Sequence, residues 1–184
     1  ARREGATVIE CPRKGRSAQM NDGAQKSRGS ILYFLHADSI PPRSFAEDIR
    51  RAVQAGNAMG CYRLRFDFNH WFLKANAWFT RFDINAFRYG DQSLFVTRCC
   101  FEKAGGFCEK HIVMEDNEIV RRLKKLGRFV ILPREVITSA RKYIDNGVFK
   151  MQGAFYLIYF LYQIGYSQEK LLNTFRKIIR QDKL

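Results

Sequence analysis

Acidic residues at two separate points of the chain could together bind a metal ion and accept a proton. Asp38 comes shortly after the apolar run at residues 31–35, while Glu115 and Asp116 stand at the start of a predicted helix. An apolar run without alternation is typical of a strand that is buried on both faces, as in a parallel sheet. Ligands bind beyond the carboxyl ends of such strands. We therefore expect a site that combines a metal ligand with a base.

The residues alone also allow structural roles for these acids. Asp38 precedes Ser39 and two prolines, a context in which aspartate commonly forms a turn. Asp116 lies where an acidic side chain can cap a helix. Both interpretations remain open at this level.

Composition and charge favour one globular domain with acidic partners. The 184 residues are 46% hydrophobic and 27% charged, which is typical of a folded domain and not of a disordered chain. The net charge of +14 favours nucleic acid, anionic membrane or phosphorylated ligands. The sequence contains no helix-turn-helix, RRM or zinc signature, so we do not expect nucleic acid as a partner.

The cysteines indicate a reducing compartment. The chain has five cysteines and no CxxC pair. An odd number of cysteines, together with a first segment that has no apolar targeting run, predicts reduced thiols and a cytoplasmic location.

Hydrophobic periodicity predicts alternating strands and helices. The predicted strands cover residues 6–10, 31–35, 58–66, 94–96 and 129–132, the last one ended by Pro133. The predicted helices cover residues 17–26, 45–55, 68–82, 98–104 and 115–126. Alternation of this kind is typical of an α/β fold.

The last part of the chain has a different composition. Residues 153–162 are nearly all apolar or aromatic, and Arg176, Lys177 and Arg180 follow. The apolar run is shorter than the roughly 20 residues that cross a bilayer. It could lie on an anionic membrane surface at the inner face of the plasma membrane, or form a helical lid or an oligomer contact. We therefore divide the chain into a domain at residues 1–147 and an amphipathic, aromatic helical segment at residues 148–184.

Six short segments carry a family resemblance that covers nearly the whole chain. They are residues 15–24, 35–39, 90–95, 105–107, 114–116 and 138–141. In order and spacing they resemble the inverting family 2 glycosyltransferases with the GT-A fold. More narrowly, they are similar to the bacterial branch of radical-SAM/selenodomain-associated transferases. The resemblance implies a mixed, mainly parallel sheet flanked by helices, with a C-terminal helical segment.

The resemblance also implies roles for individual residues. Asp38 matches the last aspartate of a DxD-like motif that holds Mg²⁺ or Mn²⁺ on the donor diphosphate, and Asp116 matches the catalytic base, with Glu115 beside it. The helix N-terminus would keep Asp116 ionised. His36, at the first position of the motif, could ligate a metal or be a satisfied histidine at a strand end. The residues implied to bind the donor are Arg16, Gln19, Asn21, Asp38, Asp91, Gln92 and Arg141.

The implied activity is transfer of a sugar, with inversion, from a nucleotide-diphospho-sugar to a hydroxyl of a lipid or glycan acceptor. Family members begin with a βαβ unit of at least about 30 residues, which this sequence lacks, so the resemblance implies an N-terminally truncated chain. Three alternatives remain open. They are a degenerate transferase that acts as a binding or membrane-associated piece, a nucleotidyltransferase-like enzyme, and a basic nucleic-acid-binding module.

Overall fold

A computed structural model describes residues 2–88 and 90–179 of the chain. The strands are β1 (Ile31–Phe34), β2 (Ser39–Ile40), β3 (Met59–Phe66), β4 (Leu94–Thr97) and β5 (Phe129–Thr138). The α-helices are α1 (Arg16–Lys26), α2 (Phe45–Gln54), α3 (Trp71–Phe79), α4 (Arg98–Lys103), α5 (Glu115–Leu123), α6 (Arg141–Asn146), α7 (Val148–Gln163) and α8 (Gln168–Ile178). Short 3₁₀ turns lie at Arg2–Glu4, Asn85–Phe87 and Gly90–Gln92.

The strands form one five-stranded sheet in the order β1-β4-β3-β5-β2. The predicted mixed α/β class, with a sheet flanked by helices, is confirmed. β1, β3 and β5 run in the same direction, but β4 is inserted antiparallel between β1 and β3. Among the strands described, only β3 and β5 form a parallel pair. Three of the five strands therefore share one direction, as expected for a mainly parallel sheet, but most neighbouring pairs are antiparallel.

β1 differs from the strand that residues 31–35 predicted. It pairs on one side only, antiparallel to β4, within the described sheet. Its side chains nevertheless pack on both faces, because Leu32 and Phe34 join one hydrophobic core while Ile31 and Tyr33 contact the other. An unalternating apolar run thus correctly indicated cover on two faces, but not the direction of the partner strand.

Two other strand predictions are wrong. Residues 6–10 form no strand, and their exposed apolar side chains Val8 and Ile9 have no sheet to join. β5 does not end at Pro133 but continues to Thr138. The pairing with β3 shifts from Leu132 to Glu135 at this point. This irregularity accommodates the proline, which has no N–H to donate to a regular ladder.

Two hydrophobic cores lie on opposite faces of the sheet. One contains Tyr62, Leu64 and Phe95 together with Met151 and Ala154 of α7. The second contains residues of β3, β4 and α5, namely Met59, Val96, Ile119, Val120 and Leu123. Alternation along β3 and β4 produces this arrangement, since successive side chains of a strand point to opposite faces.

The C-terminal helices pack on the same core as the sheet. Met151 of α7 belongs to the first core, and Phe175 and Ile178 of α8 pack against it. The boundary between residues 147 and 148 stays a prediction, and Gly147, with φ of 85°, marks the turn into α7. Among the described residues, no helix is long and apolar enough to span a membrane. Arg180, one of the basic residues noted in the sequence, lies outside the described residues.

Replacement of Leu123 by alanine should test the second core. The side chain of Leu123 is 0% exposed, and Leu→Ala changes at such positions cost about 2–5 kcal/mol of unfolding free energy. Leu126 was predicted to lie in the same helix, but α5 ends at Leu123 and Leu126 is 46% exposed. Leu126→Ala is therefore the matched control and should cost about 1 kcal/mol or less. Urea denaturation measures both, and equal costs would contradict this account of the core.

Candidate active site

One guanidinium group joins three distant segments of the chain. Arg16 is the first residue of α1 and follows Gly15, whose φ is 115°. Its Nη1 lies 2.8 Å from Oε1 of Glu115, and its Nη2 lies 3.5 Å from Oδ2 of Asp116. The same Nη2 contacts Nε2 of His36. Arg16 is thus the centre of a cluster that contains both predicted catalytic acids.

The register between β1 and β4 brings His36 to Asp91. Phe34 pairs with Leu94 across the two antiparallel strands, so residues that follow β1 lie beside residues that precede β4. His36 Nδ1 is 2.7 Å from Oδ1 of Asp91. A guanidinium can only donate hydrogen bonds. His36 therefore accepts from Arg16 at Nε2 and donates from Nδ1 to Asp91.

Asp91 is held in its ionised form by this arrangement. Burial by itself would raise the pKa of Asp91, but the hydrogen bond from His36 and the positive charges of Arg16 and Lys142 lower it below its usual range. Lys142, on α6, was not among the residues predicted for the site. Its contribution brings the last helix before α7 into the electrostatics of the cluster.

Glu115 is the most buried acid of the cluster. Its side chain is 4% exposed, and among the described residues its Oε1 accepts no well-aligned hydrogen bond. Burial and the neighbouring charge of Asp116 raise the pKa of Glu115 to about 7, although Arg16 acts in the opposite direction. This carboxyl group therefore changes its protonation near neutral pH.

Asp116 also has a raised pKa. Burial is the largest cause, and the positive charge of Arg16 opposes it. The helix N-terminus was expected to favour the ionised form, and burial outweighs this effect. A carboxylate with a raised pKa accepts a proton more readily than an exposed one.

Gly90 creates the space that Asp116 occupies. A Cβ atom at position 90 would lie 2.0 Å from Oδ2 of Asp116 and 3.5 Å from Cε1 of His36. No residue with a side chain fits there without moving the acid. Gly90 was not predicted to have a role in the site, although its position directly before Asp91 was a signal for one.

Asp38 lies on the loop after β1 and remains open to ligands. Its backbone oxygen accepts a hydrogen bond from Ser139 N at 3.3 Å, and its negative charge contributes to raising the pKa of Arg16. Within the described ranges its exposed carboxylate has no hydrogen bond or ion pair. It is close enough to act electrostatically on the cluster and free to bind a cation.

The protein side chains alone do not form a complete metal centre. Across residues 2–88 and 90–179, no three His, Cys, Asp or Glu side chains converge on a position that could hold a metal ion. Mg²⁺, however, is commonly bound by one or two carboxylates together with phosphates of the substrate. The free carboxylate of Asp38 fits that kind of site.

Two of the predicted donor-binding residues are occupied elsewhere. The side-chain amide of Asn21 exchanges two hydrogen bonds with the backbone of Phe107, of 2.9 and 2.8 Å. Gln92 is 1% exposed, and its Nε2 donates to the backbone oxygens of Tyr62 and Thr80 at 3.3 Å. Both side chains hold the fold together, so the structure does not bring them into the cluster.

Gln19 and Arg141 are exposed on α1 and α6. Neither side chain forms a hydrogen bond or ion pair with the Arg16 cluster in the part of the chain that the structure describes.

A cavity of about 310 Å³ lies between α1 and β1, and His36, Gly90 and Asp116 are among its lining residues. The cluster therefore faces a space in which a small ligand can bind.

Glu115→Gln should change how stability depends on pH. Folding raises the pKa of Glu115 from 4.5 to about 7, so the stability that this residue contributes is complete at low pH and is lost as the pH rises through that window. Glutamine stays neutral throughout. We expect the variant to gain unfolding free energy relative to the parent between pH 4.5 and 7, as measured by urea denaturation. Glu102→Gln, at an exposed position, is the control, and parallel pH profiles for parent and Glu115→Gln would contradict the prediction.

Comparisons with known proteins agree with this architecture. The mannosyltransferase PcManGT from Pyrobaculum calidifontis, solved in complex with GDP-Man and Mn²⁺, superimposes with a TM-score of 0.62 at 16% identity. The match covers 93% of this chain and 51% of that protein, so the chain spans about half the length of this relative, and at this identity the likeness shows the GT-A fold. No curated protein matches the sequence. The model of Glycosyl transferase family 2 matches residues 1–109, more than half of the 184 residues, and the chain therefore belongs to glycosyl transferase family 2.

Proposed function

We propose that this chain transfers a sugar from a nucleotide-diphospho-sugar to an acceptor hydroxyl of a lipid or glycan, with inversion at the anomeric carbon. The observation that carries the proposal is the cluster in which Arg16 holds Asp116 and Glu115 beside His36, at the end of β1. The family supports sugar transfer in general. The structural relative binds GDP-Man, which supports a nucleotide-sugar donor. The six matching sequence segments support the radical-SAM/selenodomain-associated branch.

Asp116 is the proposed general base. Inverting transfer needs one carboxylate that removes the proton of the acceptor hydroxyl while the hydroxyl attacks. Burial raises the pKa of Asp116, which strengthens it as a base, and Asp116 lines the neighbouring cavity. Glu115 has a supporting role, because its contact of 2.8 Å with Arg16 fixes the guanidinium that orients Asp116.

The donor diphosphate is proposed to bind on the side of Asp38. A divalent cation, Mg²⁺ or Mn²⁺, held by Asp38 would neutralise charge on the leaving diphosphate. Arg16 and Asp91 complete the proposed donor site, the former through its charge and the latter by fixing His36. Gln19 and Arg141, which are exposed on α1 and α6, remain proposed donor contacts.

We also propose that α7 places the enzyme on an anionic membrane surface, at the inner face of the plasma membrane. The inner face of α7 is buried in the core, whereas Phe149, Leu157 and Phe160 lie on the opposite face and are exposed. These positions follow helical spacing, so they form one apolar stripe. Exposed Arg176 and Lys177 on α8 add positive charge.

The five cysteines are all free thiols, which supports a reducing, cytoplasmic environment.

Asp116→Asn and Asp38→Asn should separate proton transfer from donor binding. Asp116→Asn should lower nucleoside diphosphate release from a nucleotide-sugar by about 100-fold or more, while the affinity for GDP with Mn²⁺ stays close to that of the parent. Asp38→Asn should instead remove most of the Mn²⁺-dependent part of that affinity. Calorimetry and a coupled release assay, over a panel of GDP- and UDP-sugars, give the two measurements.

Asp22→Asn is the control variant, because Asp22 forms an ion pair with Lys26 on α1 outside the cluster. A loss of turnover below tenfold in Asp116→Asn (roughly 1.4 kcal/mol) would mean that another residue is the base. Unchanged Mn²⁺-dependent affinity in Asp38→Asn would remove Asp38 as the metal ligand.

Phe160→Ser should weaken membrane binding. Phe160 is 58% exposed on the apolar stripe, and we expect the parent to sediment with phosphatidylglycerol vesicles at low salt and the variant to do so less. Ile40→Ser, at a position that is 65% exposed on β2, is the control for loss of an exposed apolar side chain. Added salt should weaken the binding, since basic contacts near an anionic surface are screened. If the parent does not sediment at all, the stripe is a lid or an oligomer contact.

A further inference from the structure

A second cavity, of about 460 Å³, lies between the end of β3 and α3. Four basic side chains line it, namely Arg63, Arg65, Lys74 and Arg81, together with the aromatic rings of Phe68 and Trp78. It shares no lining residue with the cavity between α1 and β1. We call it the β3–α3 groove.

Two of these basic residues already have partners. Nε of Arg65 lies 3.2 Å from Oε2 of Glu135. Arg81 stacks on Trp78 at 4.4 Å from the ring centroid, and its Nε donates to the backbone oxygen of the same tryptophan at 2.9 Å. These contacts fix the positions of Arg65 and Arg81 at the rim of the groove. The groove remains positively charged.

Arg63 and Lys74 have neither kind of partner in the described part of the chain. Within residues 2–88 and 90–179, neither side chain forms an ion pair, and Nε of Arg63 is shielded from water without a hydrogen-bond partner. A buried donor without a partner costs free energy and requires an explanation such as a bound anion. The groove also contains the carboxylates Asp67 and Glu135. Glu135 pairs with Arg65, and Oδ1 of Asp67 accepts from Ala140 N at 2.7 Å.

The aromatic and apolar side chains in the walls of the groove indicate that a ligand bound there has an apolar part. Trp78 is 47% exposed and Phe68 is 39% exposed, although aromatic rings of this size are usually more deeply covered. Leu64 and Ala77 extend the apolar lining. We propose that the β3–α3 groove binds a phosphoryl group carried on an apolar chain. The phosphoryl oxygens contact Arg63 and Lys74, and the chain packs on Trp78 and Phe68.

A phosphoryl group suits these cations because it offers several acceptor oxygens to a guanidinium and an ammonium at once.

One short turn connects the groove to the loop that carries Asp38. Asp67 binds Ala140 N, and the adjacent Ser139 N donates to the backbone oxygen of Asp38. The groove is therefore a separate site next to the proposed donor site.

Calorimetry with dodecyl phosphate below its micelle concentration tests the proposal directly. The parent should bind it more tightly than inorganic phosphate, and dodecyl maltoside, which has the same chain without charge, should not bind. Arg63→Gln should weaken dodecyl phosphate binding about tenfold, and Lys74→Gln about threefold. Lys103→Gln, on the exposed surface of α4, is the charge-matched control and should bind like the parent.

The outcomes distinguish the proposal from its alternatives. Equal binding of dodecyl maltoside would show an apolar groove without phosphoryl recognition, and equal binding of inorganic phosphate would show an anion site without the apolar part. Either result overturns the proposal. If Arg63→Gln fails to fold by circular dichroism, Lys74→Gln, on the helix surface, decides. Asp116→Asn should bind dodecyl phosphate like the parent, so the groove is tested independently of the transfer reaction.

Discussion

The candidate site depends on one ion-pair network, in which the Arg16 guanidinium lies among carboxylates that would otherwise repel one another. Glu115 and Asp116 are adjacent in sequence, and burial raises the pKa of both. Without a nearby cation, two such acids could not both stay ionised. Arg16 compensates this charge from another helix. The positions of α1 and α5 relative to each other are therefore an electrostatic requirement as well as a packing result.

The sheet provides the geometry that this network requires. His36 and Asp91 are far apart in sequence, and the antiparallel pairing of β1 with β4 places the end of one strand beside the start of the other. Because Gly90 has no Cβ atom, the carboxylate of Asp116 can lie against the backbone of residue 90. The inserted antiparallel strand β4 is thus what brings the histidine, its aspartate partner and the proposed base together.

Local sequence patterns predicted those elements whose boundaries depend on their own residues. α1, α2, β3 and β4 occur within one or two residues of where periodicity placed them. The strand expected at residues 6–10 is absent, and β5 continues past Pro133, because both outcomes depend on a partner strand that a local window does not contain. For the same reason the apolar run of β1 correctly predicted contacts on both faces, but not the antiparallel partner or the half-buried state of three of its four residues.

The site residues show the same limit at the level of single side chains. Arg16 and Asn21 belong to one matching segment, but five residues along a helix turn the side chain by roughly 140° about the axis. Arg16 therefore reaches the acids, while Asn21 binds the backbone at Phe107. Gln92 follows Asp91 directly and points into the core instead. A resemblance transfers residue types to positions, whereas the direction of each side chain follows from the helix or turn that carries it. Of the acids proposed for chemistry, Asp116 lines a cavity and Asp38 is exposed, so the fold leaves both accessible to a ligand.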